Sequence, residues 1–202
     1  MGEEVIKNKI YLNASLEHKF ISWTGHKTGS TTMVNVLNEF GFKYYKFDGI
    51  DFEVLNTRPQ RTHSCYPDSI PDGFQVICSI RNPLSQLVSE YRYGPINDFA
   101  NWLKKTLNSN QNFQCFNFKT RKPDYFVRME SMFEDYSKIP FINQSKYFQL
   151  GILKKVCQYK MNPHPFGKSN WKDYYNEELA NLVSKTFPNH FSDYKYDLNS
   201  WK

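Results

Sequence analysis

The chain has 202 residues and a mass of 24.0 kDa, enough to bury the core of one domain and too few for two of ordinary size. Hydrophobic residues at 40% and aromatics at 17% exclude a disordered or collagen-like chain, and a mean hydropathy of −0.68 excludes a membrane-embedded one. Lys and Arg number 26 against 20 Asp and Glu, and the net charge of +6 suits an anionic ligand but is too mild to require nucleic acid.

In chain order, the first six residues lack the apolar stretch of a secretory signal and the Ser or Thr of a myristoylation motif. Residues 1–17 stand outside the pattern that follows and are expected to be peripheral or poorly ordered. Residues 19–23 are a β-favouring apolar run closed by Thr24 and Gly25; Met33, Val34, Leu37 and Phe40 then recur at helical spacing, with Gly41 as a stop. The order is strand, loop, helix. Residues 42–47 and 61–65 read as further strands, and residues 74–80 as the central one, ending at Arg81-Asn82-Pro83. Pro83 opens a helix with Leu84, Leu87, Val88 and Tyr91 on one face. Residues 125–129 read as another strand, followed by helices over 144–159 and 174–187.

No repeat, low-complexity tract or linker divides this pattern. Strands alternating with helices predict one α/β domain over residues 1–202: a central parallel sheet flanked by helices, with ligands beyond the carboxyl ends of its strands. No apolar run approaches the roughly 18 residues of a membrane span, so a cytoplasmic chain is expected. Cys65, Cys78, Cys115 and Cys157 show no C-x-x-C spacing and are expected as reduced thiols, not as zinc ligands or a disulfide framework. The sequons at Asn13 and Asn143 are then chance matches.

Two segments carry chemistry. The loop Thr24-Gly25-His26-Lys27-Thr28-Gly29-Ser30-Thr31-Thr32 lies between a strand and a helix, where backbone N–H groups and the helix N-terminus can cradle a phosphate and Lys27 can reach transferring charge. It is not a Walker A loop, because His26 and not Gly precedes Lys27. Its bland alternative is a Gly/Ser/Thr turn capping a helix. The second segment sets Arg81 at a central strand end, with Ser89 two turns into the following helix; the planar guanidinium suits a phosphate, and Ser89 can add a hydrogen bond. The bland alternative is a surface Arg beside a helix-initiating Pro.

Lys27-Thr28-Gly29-Ser30-Thr31-Thr32 resembles the K-[ST]-G-[ST]-T loop that binds the 5′-phosphosulfate in sulfotransferases using 3′-phosphoadenosine-5′-phosphosulfate (PAPS). Arg81-Asn82-Pro83 with Ser89-Glu90-Tyr91 is similar to that family's R-[ND]-P-x5-S-x-Y segment for the 3′-phosphate. The ordered pair is more specific than either motif alone. His63 falls where the family has its catalytic histidine, residues 125–135 are similar to its next strand-turn-helix, and residues 167–172, with Lys168, are similar to its late basic loop. The resemblance runs over residues 18–196, weakest between 93 and 122, and is closer to carbohydrate sulfotransferase cores than to the longer cytosolic enzymes.

It implies a P-loop-like sulfotransferase fold and PAPS as co-substrate with 3′,5′-bisphosphoadenosine (PAP) as product. It also implies an acceptor hydroxyl, on a carbohydrate, with neither metal nor nucleic acid involved. His63 and Lys27 would be catalytic; Lys27, Thr28, Gly29, Ser30, Thr31, Thr32, Arg81, Ser89 and Lys168 would bind the nucleotide. His26 departs from the family's Pro, and Thr32 from the Trp that packs on adenine, leaving Phe166 or Trp171 for that role. His63 can take the acceptor proton because imidazole titrates near working pH, and Lys27 can offset charge on the bridging oxygen. Glu39, Glu90 and Glu130 are alternative bases, Glu130 more readily structural. The aromatic and Asn-rich stretch 93–118, with Trp102, is an acceptor-side lid candidate, although core packing explains most of its aromatics. His18, His26, His164 and His190 have no metal-ligand spacing. A P-loop kinase and a non-catalytic binder of anionic ligands are the competing readings; the strand 74–80 ends in Arg81 where a kinase needs a carboxylate for Mg²⁺.

Overall fold

Four turn residues, 16–19, separate strand β1 (Ile10–Ser15) from β2 (Phe20–Thr24), so the pair closes as an antiparallel hairpin. The computed structural model describes residues 10–25, 27–47, 51–56, 70–92, 98–109, 121–149, 151–158 and 170–202. On its other side β1 pairs antiparallel with β3 (Lys43–Phe47), which pairs antiparallel with β4 (Phe52–Leu55). Strands β5 (Gln75–Ile80) and β6 (Tyr125–Arg128) extend the sheet parallel to β2, giving the order β4-β3-β1-β2-β5-β6.

The single α/β domain with helices flanking its sheet agrees with the expectation, but the sheet is mixed, not parallel. The difference traces to residues 10–15. Expected at the periphery, they form an interior strand that separates β2 from β3 and runs antiparallel to both, while β3 itself keeps the direction of β2. Asn13 is buried in that strand because Ser22, its register partner, donates a 2.7 Å hydrogen bond to Asn13 Oδ1. The strand expected at 61–65 lies outside the described residues.

Helix α1 (Ser30–Asn38) follows β2, and α2 (Pro83–Tyr91) follows β5. Pro83 sits in the first turn of α2, and Asn82 caps it by accepting the Leu84 N–H at 2.9 Å. Helix α3 (Phe99–Asn108) is capped by Asp98. After β6 come four short helices, α4 (Met132–Tyr136), α5 (Pro140–Asn143), α6 (Lys146–Gln149) and α7 (Ile152–Gln158). The single helix expected over 144–159 is thus two, with Gly151 at φ 69° immediately before α7. Helices α8 (Glu177–Thr186) and α9 (Pro188–Tyr194) complete the fold; α8 starts later than expected, after a 3-10 turn over Trp171–Tyr174, because Asn176 caps it through the Leu179 N–H.

Successive residues of β5 point to opposite faces, and both are covered. Ile77 joins Val127, Met33, Leu37 and Tyr136 under α1 and α4 to α7. Val76, Cys78 and Ile80 join Trp23 on the other face, with Tyr194 and Tyr196 packed against them. Leu87, Leu103, Leu179 and Val183 bind α2, α3 and α8 into a third cluster, which α9 joins through Phe191. Among the described residues, no helix is long and apolar enough to cross a membrane.

Candidate functional site

Strands β2 and β5 are parallel neighbours, yet the helices that follow them take different sides. Helix α1 packs on the Ile77 face; α2 belongs to the cluster that meets the other face through Tyr196. Loops that part in this way open a crevice at the carboxyl ends of the strands, the usual ligand position in an open α/β sheet.

Two left-handed residues shape the loop after β2. Lys27 has φ 60°, and Gly29, the N-cap of α1, has φ 84°. Between them Thr28 is fully buried: its Oγ1 donates to the Gly25 carbonyl at 2.8 Å and meets Ser79 Oγ on β5 at 2.7 Å. The loop is thereby fastened to the central strand. Among the described residues no side chain caps α1, so the first-turn amides of Ser30, Thr31 and Thr32 present the positive end of the helix. Lys27 is half-buried; burial pushes its pKa down, Glu90 partly restores it, and Arg81 lowers it further.

Arg81 begins where β5 ends. Its Nε donates to Ser85 Oγ at 2.8 Å, and its Nη1 donates to the Lys27 carbonyl at 3.3 Å. One guanidinium therefore ties α2 to the first loop. Among the described residues nothing accepts from its Nη2. Burial lowers its pKa, Glu130 opposes that fall, and Arg92 adds to it. The 3-10 turn Met129–Ser131 after β6 brings up Glu130, whose Oε1 accepts the Asn82 N–H at 3.0 Å and a 3.4 Å hydrogen bond from Ser85 Oγ. Glu130 Oε2 accepts from the Tyr196 hydroxyl at 3.2 Å, and Asn82 Nδ2 donates to Ser200 Oγ at 2.9 Å. Burial and then Glu130 push the Tyr196 hydroxyl far above its ordinary pKa, so it stays a donor.

The fold therefore brings Lys27, Gly29, Ser30, Thr31 and Arg81 to one end of the sheet, with Ser89 half-buried two turns into α2. Thr28 and Thr32 are buried, and the Thr28 hydroxyl is already engaged, so Thr28 can offer a ligand only its backbone. Glu39 follows the last residue of α1, nine residues and roughly 13 Å from the loop, which removes it as a base. Glu90 lies near Lys27, whereas Glu130 is tied to Asn82, Ser85 and Tyr196 as a structural acceptor. Trp171 packs into the α2, α3 and α8 cluster beside Tyr175, and Trp102 packs with Tyr91 and Phe99 as core. His63, His26, Phe166 and Lys168 lie outside the described residues, as do 93–97 and 110–118 of the lid candidate.

Ser79, Ser85, Met129, Tyr196 and Ser200 belong to the site's frame without having been expected there. Only Ser85 left a readable trace, one helical turn from Arg81 and behind a helix-opening Pro. No protein-family model, no curated protein and no solved structure matches the chain.

Proposed function

We propose that the chain is a PAPS-dependent sulfotransferase that moves the sulfuryl group of PAPS to an acceptor hydroxyl on a carbohydrate and releases PAP. The observation that carries this reading is the Arg81 Nη1 to Lys27 carbonyl hydrogen bond, which joins the two motif segments at the carboxyl ends of β2 and β5. The acceptor oxygen attacks sulfur as the bond from sulfur to the 5′-phosphate oxygen breaks; the hydroxyl proton goes to His63. Lys27 and the first-turn amides of α1 hold the 5′-phosphate and offset the charge on the leaving oxygen. Arg81 and Ser89 read the 3′-phosphate, and Lys168 is a further nucleotide-binding residue. The cytoplasm is the proposed compartment.

The test is thermal unfolding without Mg²⁺ in PAP or AMP. At about 100 times Kd, PAP should stabilise the fold by roughly 2.7 kcal/mol, and AMP much less. Arg81→Ala should erase the difference. Equal shifts by both nucleotides in the wild-type chain overturn the reading. Labelled sulfate transfer from PAPS across sugars, phenols and peptides then names the acceptor class, and transfer to phenols alone removes the carbohydrate.

A further inference from the structure

Arg81 is aimed by groups that touch no ligand in the proposed reaction. Its Nε–H is fixed by Ser85 Oγ, and the single Ser85 hydroxyl proton is shared between two acceptors, the Asn82 carbonyl at 3.2 Å and Glu130 Oε1 at 3.4 Å. The same Oε1 takes the Asn82 N–H at 3.0 Å, so one carboxylate from the β6 turn holds the start of α2 and the residue that orients the guanidinium. From the other side the Tyr196 hydroxyl holds Glu130 Oε2. With Nε on Ser85 and Nη1 on the Lys27 carbonyl, the guanidinium plane is set, and among the described residues nothing accepts from Nη2, the donor an anion would take.

We infer that Glu130 is a positioning residue, which acts through Ser85 to hold Arg81 as an anion ligand. The inference rests on the proposed role of Arg81 in phosphate binding. Two effects of Glu130 on an anion have opposite signs: its charge repels the ligand, and its hydrogen bonds place the ligand's strongest donor. Glu130→Gln removes the charge and keeps an acceptor for the Asn82 N–H; Glu130→Ala removes both.

The test uses inorganic pyrophosphate as the probe, so that it does not depend on nucleotide specificity, with melting curves to confirm that each variant is folded. Positioning predicts that Glu130→Ala and Ser85→Ala weaken pyrophosphate binding by about 10-fold while Glu130→Gln binds at least as tightly as wild type. It also predicts that adding Glu130→Ala to Arg81→Ala weakens binding no further, since residues acting as one unit are non-additive. Equal tightening by Ala and Gln makes Glu130 a repulsive charge only and overturns the inference, as does an undiminished effect in the Arg81→Ala background. A second readout is the rate at which phenylglyoxal modifies Arg81 in the folded chain, followed by peptide mass spectrometry. It should rise in Glu130→Ala and Ser85→Ala and stay at the wild-type value in Glu130→Gln; a wild-type rate in all three overturns the inference. Failure of PAP to outdo AMP brings down the sulfotransferase reading and leaves these results standing.

Discussion

The thioether of Met129 fills the place where a Cβ on Gly29 would stand, so the turn after β6 is packed directly on the loop after β2. Gly29 also has φ 84°, where an L side chain costs about 1–2 kcal/mol. Gly29→Ala should therefore lose at least that much stability, because Met129 must also move. Adding Met129→Ala should recover the steric part and not the backbone part. Full recovery in the double variant, measured by urea unfolding, would show that backbone strain plays no role.

Protonation of Lys27 should be linked to ligand binding. Its folded-state pKa is below the unfolded value of 10.5, with burial as the main cause. The destabilisation is thus complete below the folded pKa and fades as pH rises toward 10.5. A bound dianion favours the charged amine, so binding in that window takes up a proton, and PAP affinity falls as pH rises through it. Calorimetry in buffers of different ionisation enthalpy should detect the uptake, and Lys27→Met should abolish it. Uptake that survives the substitution assigns the proton to another group.

Asp135 clasps β6 to α4. Its side chain is 3% exposed, and burial alone would raise its pKa, but Arg128 at 2.7 and 2.8 Å, Lys138 at 2.7 Å, Ser131 and the Arg128 N–H hold it well below the ordinary carboxylate range. That stability is present above the unfolded pKa of 3.8 and is lost as pH falls below it. Arg128→Ala should destabilise by roughly 3 kcal/mol by leaving a buried charge with weaker partners. Lys138→Ala, at a side chain 62% exposed, should cost under about 1 kcal/mol. Equal losses in the two variants contradict this ranking.

His190 stacks on Phe187 at 5.3 Å between ring centres, and burial lowers its pKa from 6.5 to about 4, against a smaller opposing effect of Asp193. The folded state resists charging this ring, so stability should drop as pH falls from 6.5 toward 4. His190→Phe should flatten melting temperature across that interval. An unchanged slope places the pH dependence elsewhere.

The parallel half of the sheet was legible because β2, β5 and β6 are short apolar runs closed by Thr-Gly, Arg-Asn-Pro and Arg-Met-Glu. Strand β1 was not, since Asn13 interrupts its apolar pattern and becomes tolerable inside the sheet only through Ser22 on another strand. Within the site, Lys27, Gly29 and Arg81 stood out by residue type and spacing. The Glu130 contact did not, because its main partner is a backbone amide 48 positions away, and a main-chain donor leaves no trace in residue identity. Thr28 carries a role that residue type does not show: its buried hydroxyl fastens the loop to Ser79 and leaves its backbone to face a ligand.

Strand β2 takes part in two pairings of very different reach. Its antiparallel partner is close at hand, with Asn13 opposite Ser22, but Ser79 and Arg81 meet the first loop across 51 and 54 positions. Closing a span about six times longer costs roughly 1.6 kcal/mol more in chain entropy before any contact repays it. The hairpin can form from local contacts, while the link between the loops after β2 and β5 has no existence until β5 docks on β2. A nascent chain must therefore carry residues through Arg81 and β5 before Lys27 acquires its partner, and ligand present during refolding can act only after that docking, on the unfolding rate more than on the folding rate.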